Sequence, residues 1–263
     1  GGVPVFIPAT EETNFIPTNK DIASRVTRRT KAIVITSPSN PNGSVWEQEQ
    51  LQFVADLAVS HPFFVVSDEI YEKLIYDGRK HLSIAQLGEQ IKSQTFLVNG
   101  VSKAYAMTGW RIGYVAGPRN VISAMSSFQS QATSNPNSIA QYAAMKALQG
   151  DQSCVDAMVA QFEKRRDAMV EKINATPGLS CRKPQGAFYI MMNIKQMLGK
   201  HYDGRMIESS LDFAELLLAE KQVALVPGVA FEAEGYCRLS YAVSMENILE
   251  GLSRIGEFVA ELS

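Results

Sequence analysis

The sequence lacks what would tie it to a membrane, a disulfide scaffold or a nucleic acid. Its apolar runs, such as residues 32–35 and 63–66, fall far short of the roughly 20 residues that span a bilayer, so no membrane partner is expected. Cysteine is scarce: Cys154, Cys181 and Cys237 are odd in number and show no Cys-x-x-Cys spacing, which argues against a disulfide framework and a zinc site. Each is expected to be a small buried side chain rather than a nucleophile, and a reducing cytoplasm fits best. Neither sign of charge is in excess. The 25 Lys and Arg against 27 Asp and Glu leave a net charge of -2, no field of the kind that holds a phosphate backbone, so no nucleic-acid partner is expected. His61, His81 and His201 sit neither at metal-ligand spacing nor beside a candidate nucleophile, so they read as structural or surface residues, with no metal. An initiator Met and a signal-peptide pattern are also missing. Gly1-Gly2-Val3-Pro4-Val5-Phe6-Ile7 reads like a turn entering a strand in the middle of a domain, and a fragment is expected.

What is present is ample apolar material. With 263 residues, 46% of them hydrophobic and 20% charged, the chain can bury one large or two modest cores. Up to about residue 118, β-rich runs alternate with helical patterns, the signature of βα units around a mainly parallel sheet. Strands are expected over residues 3–7, 31–36, 63–67, 95–98 and 112–116, with a crossover helix over 47–60 whose Leu51, Val54, Ala55 and Ala58 form one face. Continuous apolar runs suit buried parallel strands, and ligands of such sheets gather at the strands' carboxyl ends.

After Pro118 the pattern turns helical, over residues 121–131, 139–148 and 156–175. In the last of these, Met158, Phe162, Met169 and Ile173 recur at helical intervals, and Lys164-Arg165-Arg166 is expected to be a solvated face. Strand-like runs at 188–192, 223–226 and 236–241 then mix with helices at 210–220 and 245–260. The expected organisation is a large α/β domain over residues 1–155 and a smaller α+β domain over 156–263.

Four clusters carry chemistry. Ser37-Pro38-Ser39-Asn40-Pro41-Asn42-Gly43 is a turn by composition, placing Asn40 near the carboxyl edge of the sheet. Ser67-Asp68-Glu69-Ile70-Tyr71 ends a buried strand, so Asp68 needs a cation or donors, from an arginine or from something bound. Lys103 follows another strand among small residues, where partial desolvation would make its neutral amine available as a nucleophile. Arg111, eight residues on, suits a phosphate or a carboxylate. Arg238 interrupts an otherwise apolar strand, either to pair with an acid or to face a cleft.

Together these clusters resemble the fold-type I aminotransferases that use pyridoxal 5'-phosphate, in particular their bacterial aspartate aminotransferase-like branch. The turn at 37–43 is similar to the family's Pro-x-Asn-Pro-Thr-Gly, with Asn42 in place of Thr. Asp68-Glu69-Ile70-Tyr71 resembles its Asp-x-x-Tyr element. Ser102-Lys103 with Ala106-Met107-Thr108-Gly109-Trp110-Arg111-Ile112-Gly113 resembles its Schiff-base lysine motif. Gln185-Gly186-Ala187-Phe188-Tyr189, Val226-Pro227-Gly228 and Arg238-Leu239-Ser240-Tyr241-Ala242 are similar to its small-domain signatures.

The resemblance implies roles. Lys103 would bond the cofactor and then act as the base that moves the substrate's Cα proton; Asp68 would pair with the pyridinium nitrogen. Tyr71 and Asn40 would hydrogen-bond the ring oxygen, while Arg111 and Ser102 would hold the phosphate. Arg238, with Asn40 nearby, would grip the substrate carboxylate. The family has further cofactor contacts in a segment preceding the point where this sequence begins, and Gly100 stands where some relatives carry a phosphate-binding Ser. The implied reaction moves an amino group from an amino acid, most readily aspartate, to a 2-oxo acid, 2-oxoglutarate, in a homodimer. A carbon-sulfur lyase on the same fold and the cofactor-binding effector domain of a regulator are the alternatives.

Overall fold

The computed structural model describes residues 1–263. The chain divides into two compact units, Gly1–Ser39 with Ser44–Ala157, and Asn40–Gly43 with Met158–Ser263. The expected division lay at 155/156; in the structure the four residues Asn40–Gly43 also group with the second unit.

The first unit runs α1 (Asn19–Arg25), β1 (Ala32–Thr36), α2 (Gln48–Ser60), β2 (Phe64–Asp68), α3 (Glu89–Lys92), β3 (Thr95–Gly100), β4 (Gly113–Ala116), α4 (Arg119–Ala132) and α5 (Ser138–Gln149). The strands form one sheet in the order β1-β2-β3-β4. β1, β2 and β3 are parallel, and β4 returns antiparallel to β3, so the sheet is mainly parallel. The register places Asp68, the last residue of β2, opposite Thr36 and Val98, which sets the functional end of the sheet. Leu51, Val54, Ala55 and Ala58 of α2 pack with Ile33, Ile35 and Val65, and each Leu, Ile or Val among them contributes about 1.5–3 kcal/mol by leaving water. The Asn137 side chain caps α5 by accepting from the Ile139 and Ala140 amides.

Two expectations are corrected here. Residues 3–7 form no strand: the segment is irregular, with Val3, Val5 and Phe6 exposed, because β propensity yields a strand only where a neighbouring backbone completes the ladder. The continuous apolar run of β1 is also covered on one face only. Ile33 and Ile35 point into the core whereas Val34 is 69% exposed, as the two-residue alternation of a strand requires.

α6 (Ser153–Ala175) runs from the first unit into the second. The second unit continues with β5 (Ser180–Cys181), β6 (Tyr189–Asn193), β7 (His201–Tyr202), β8 (Arg205–Met206), α7 (Ser210–Lys221), β9 (Val226–Pro227), β10 (Tyr236–Ser240) and α8 (Met245–Ala260). Its main sheet is antiparallel, in the order β5-β6-β10-β9, and β7 and β8 form a separate hairpin. Ser209 and Ser244 cap α7 and α8, and Phe258 of α8 packs on Phe213 and Tyr202. Cys181 and Cys237 are buried as expected, and burial pushes the Cys237 thiol up to about 12, leaving it inert. Cys154 departs from the expectation: it lies exposed in the first turn of α6.

A third correction concerns Lys164-Arg165-Arg166. Arg166 is 0% exposed, in line with the buried Phe162, Met169 and Ile173 at intervals of four, three and four residues. Those intervals trace one face of a helix, so the arginine belongs to the buried stripe.

Candidate active site

The carboxyl end of β2 is clamped by its neighbours. The Asp68 carbonyl accepts from the Ser37 amide at 3.1 Å, and the Glu69 amide donates to the Val98 carbonyl at 2.8 Å. Asp68 is half-buried; its Oδ1 accepts from the Ile70 amide at 3.1 Å, and no protein cation pairs with it. The arginine partner that a purely structural role would supply is therefore absent. Glu69, to which no sequence motif assigns a role, is buried and accepts from Ser67 Oγ at 3.0 Å and Ser83 Oγ at 2.6 Å, with His81 Nε2 at 2.9 Å. Glu72 brings a third ligand-type atom within 4.8 Å of those of Glu69 and His81, but the Glu69 carboxylate is already occupied by its three partners. The group reads as a clasp that fixes the turn after Asp68.

Lys103 stands three residues beyond β3, in a run of turns anchored by the buried Val101 and Ala104. It is half-buried, and its Nζ lies 5.9 Å from the centre of the ring of Tyr71, itself buried. The first unit thus brings together the amine and the phenol that the sequence motifs single out. Tyr105 ties the lysine loop down through a 2.8 Å bond from its hydroxyl to Gln152 Oε1. Burial, reinforced by the Glu72 carboxylate, raises the Tyr105 phenol above its ordinary range and keeps it neutral. Ser102 is half-buried with its hydroxyl bonded to no protein group. Arg111 ends a short 3₁₀ turn at φ 52 and donates from Nη1 to the Thr108 carbonyl at 2.9 Å. Its other guanidinium donors are exposed. At Gly100 a Cβ would lie 3.1 Å from Gly113 Cα, so the close approach of β3 and β4 accounts for a glycine there.

The second unit holds Asn40 and Arg238. Arg238 sits on β10 opposite Met191 of β6, diagonal to Tyr189 on the same face. Its guanidinium carbon lies 4.5 Å from the Tyr189 ring centre and 4.9 Å from that of Phe231, and Nη1 donates to Asn40 Oδ1 at 2.8 Å. Arg238 therefore pairs with aromatic faces and an amide rather than with an acid, which orients the guanidinium and leaves its charge uncompensated. Asn40 is held by its own turn: the Gly43 carbonyl accepts from the Gln185 and Gly186 amides at 2.9 Å each. Gly43 has φ +71, and a Cβ there would meet Pro184 Cβ at 2.6 Å and Gly186 O at 2.7 Å. Gly43→Ala should accordingly cost about 2–4 kcal/mol in urea unfolding, from left-handed strain and overpacking together. A loss below about 1 kcal/mol would show that the turn can yield.

The description "Aminotransferase class I and II" matches residues 1–255. The aspartate aminotransferase of Bacillus sp. (strain YM-2) is 45% identical over 259 residues, 98% of this chain and 65% of that protein. A probable aspartate/prephenate aminotransferase of Aquifex aeolicus is 43% identical over 264 residues, 100% of this chain and 66% of that protein. The chain thus spans just under two thirds of the length of these curated relatives. Among solved structures, the aspartate aminotransferase of Rhizobium meliloti superposes with a TM-score of 0.95 at 41% identity, covering 99% of this chain and 66% of that one. An aromatic aminotransferase from Pyrococcus horikoshii OT3 superposes with 0.92 at 40% identity, covering 99% and 68%. With this agreement in sequence and in the α/β architecture of fold type I, the chain belongs to the class I and II aminotransferases, whose cofactor is pyridoxal phosphate.

Proposed function

We propose that the protein is an aminotransferase that moves the amino group of an amino acid, aspartate foremost, to 2-oxoglutarate. The observation that carries this reading is the pairing, in one unit, of the half-buried Lys103 beside Tyr71 with a half-buried strand-end carboxylate, Asp68, that has no protein cation. That donor set fits pyridoxal phosphate: an amine for its aldehyde, an acid for its ring nitrogen, and unpaired donors on Ser102 and Arg111 for its phosphate. When bound, the cofactor supplies an electron sink for the charge left at the substrate's Cα. Lys103 holds the cofactor and later takes and returns the Cα proton. Asp68 would favour a protonated ring nitrogen, and Tyr71 and Asn40 would serve as hydrogen-bond donors to the ring oxygen. Arg238, backed by Tyr189 and Phe231, binds the substrate carboxylate and orients Cα. Aspartate is the first choice because relatives at 43–45% identity carry that substrate in their names. The same reading includes a homodimer in the cytoplasm, consistent with the apolar Phe128, Ile139 and Tyr142 exposed on α4 and α5 and with three free cysteines.

The test begins with the purified chain and pyridoxal phosphate. A visible absorption band, borohydride reduction and peptide mapping should place a single label on Lys103, and aspartate with 2-oxoglutarate should yield glutamate. A label scattered over other lysines would overturn the site. Pyruvate and sulfide released from suitable thioether substrates, without glutamate, would reassign the reaction to a lyase. Light scattering reads the dimer.

A further inference from the structure

We propose that Arg166 is a positioning residue for the carboxylate-binding pair Asn40 and Arg238, an inference that rests on the reading of Arg238 given above. A guanidinium that is 0% exposed, in a stripe otherwise made of Phe162, Met169 and Ile173, sits where an apolar side chain would pack with no charge to desolvate. Its bonds show what the charge does. Nε donates to Asp167 Oδ1 at 2.8 Å and Nη2 to Glu163 Oε1 at 3.4 Å, both acids of its own helix. Nη1 reaches outside the helix and donates to the Pro184 carbonyl at 3.0 Å.

Pro184 opens the turn whose next two amides, Gln185 and Gly186, both donate to the Gly43 carbonyl. Gly43 fits against Pro184 and Gly186 with no room for a Cβ. Three residues before Gly43, Asn40 Oδ1 accepts from Arg238. Arg166 thus anchors, through one carbonyl and two interlocked turns, the amide that orients the substrate-binding guanidinium. Lys183 adds a second tie to the same helix through Asp167, at 3.2 Å. Every group in this relay belongs to the second unit.

Two variants test it, R166K and R166M. Lysine keeps the charge beside Glu163 and Asp167 but cannot fork to the acids and to Pro184 at once; methionine fills the space without charge. In both, deuterium exchange at the Gln185 and Gly186 amides should accelerate about tenfold while β6, β10 and α8 keep their protection. KM for both carboxylate substrates should rise about tenfold, and kcat should fall by a smaller factor because Arg238 also orients Cα. Exchange that accelerates uniformly across the second unit in both variants would make Arg166 merely structural, and unchanged protection with unchanged KM would remove it from the relay. Unchanged KM with locally faster exchange would likewise overturn the proposal. Should the parent transfer no amino group, the function reading fails by itself; carboxylate binding is then read by titrating succinate against the Arg238 Nε–H signal in NMR, where an unchanged affinity in both variants overturns the proposal and a weakened one supports it.

Discussion

Replacing Lys103 by alanine should lower amino transfer by about 10⁴-fold or more while leaving the fold in place. The loop carrying this lysine is held by Val101 and Ala104, both buried, and by the Tyr105 to Gln152 bond, none of which the substitution touches. Unfolding measured by circular dichroism should therefore shift by no more than a few degrees. The loss of rate is large because the proposed function puts two tasks on one nitrogen: bonding the cofactor, and carrying a proton to and from Cα. General acid-base catalysis alone supplies about 10²–10⁴-fold, and the covalent link adds to it. The borohydride label and the visible band should vanish with the activity. Lys103→Arg separates the contributions, since a guanidinium retains the charge beside Tyr71 but remains protonated and is a poor nucleophile. Turnover above about one per cent of the parent in either variant would assign the proton transfer to another group.

The clusters at 37–43, 67–71, 102–113 and 236–241 stand out in the sequence because each combines a break in apolar patterning with residues whose chemistry a turn or a strand does not require. The parallel order of β1 to β3 agrees with apolar runs and an intervening helical period, and a parallel sheet offers its carboxyl ends, where Asp68 stands, as the place for a ligand. What stayed hidden depended on partners distant in sequence. Residues 3–7 have strand composition, but composition names no neighbour to complete the ladder. Glu69 follows Asp68 directly, yet its burial rests on His81 and Ser83, across the intervening turns. Arg238 leaves pairing with an acid and facing a cleft both open in the sequence; in the structure two aromatic rings and an amide are its partners. Arg166 is the instructive case, because its signal was present. Spacings of four, three and four residues from Phe162 to Ile173 put it on the buried face, whereas three adjacent basic residues drew attention to local charge.

Asp68→Asn should be the second most damaging change, and its reasoning is electrostatic. The amide oxygen of asparagine can still accept from the Ile70 amide, and the backbone ladder to Thr36 and Val98 is untouched, so the end of β2 keeps its shape. What disappears is the negative charge. A half-buried carboxylate without a protein cation gains its partner only when a cationic ring nitrogen arrives. Removing one member of such a pair costs about 3–5 kcal/mol when the pair is shielded from water. If that cost falls on the transition state, kcat should drop about 10²–10⁴-fold. On the proposed function the same charge also helps to retain the cofactor, so dialysis should strip pyridoxal phosphate from the variant faster than from the parent, a readout independent of turnover. The two variants then fail in different ways: Lys103→Ala loses the covalent label, whereas Asp68→Asn keeps the label on Lys103 and loses rate. An Asp68→Asn protein with full kcat and normal cofactor retention would remove the carboxylate from the mechanism and leave the end of β2 a structural turn.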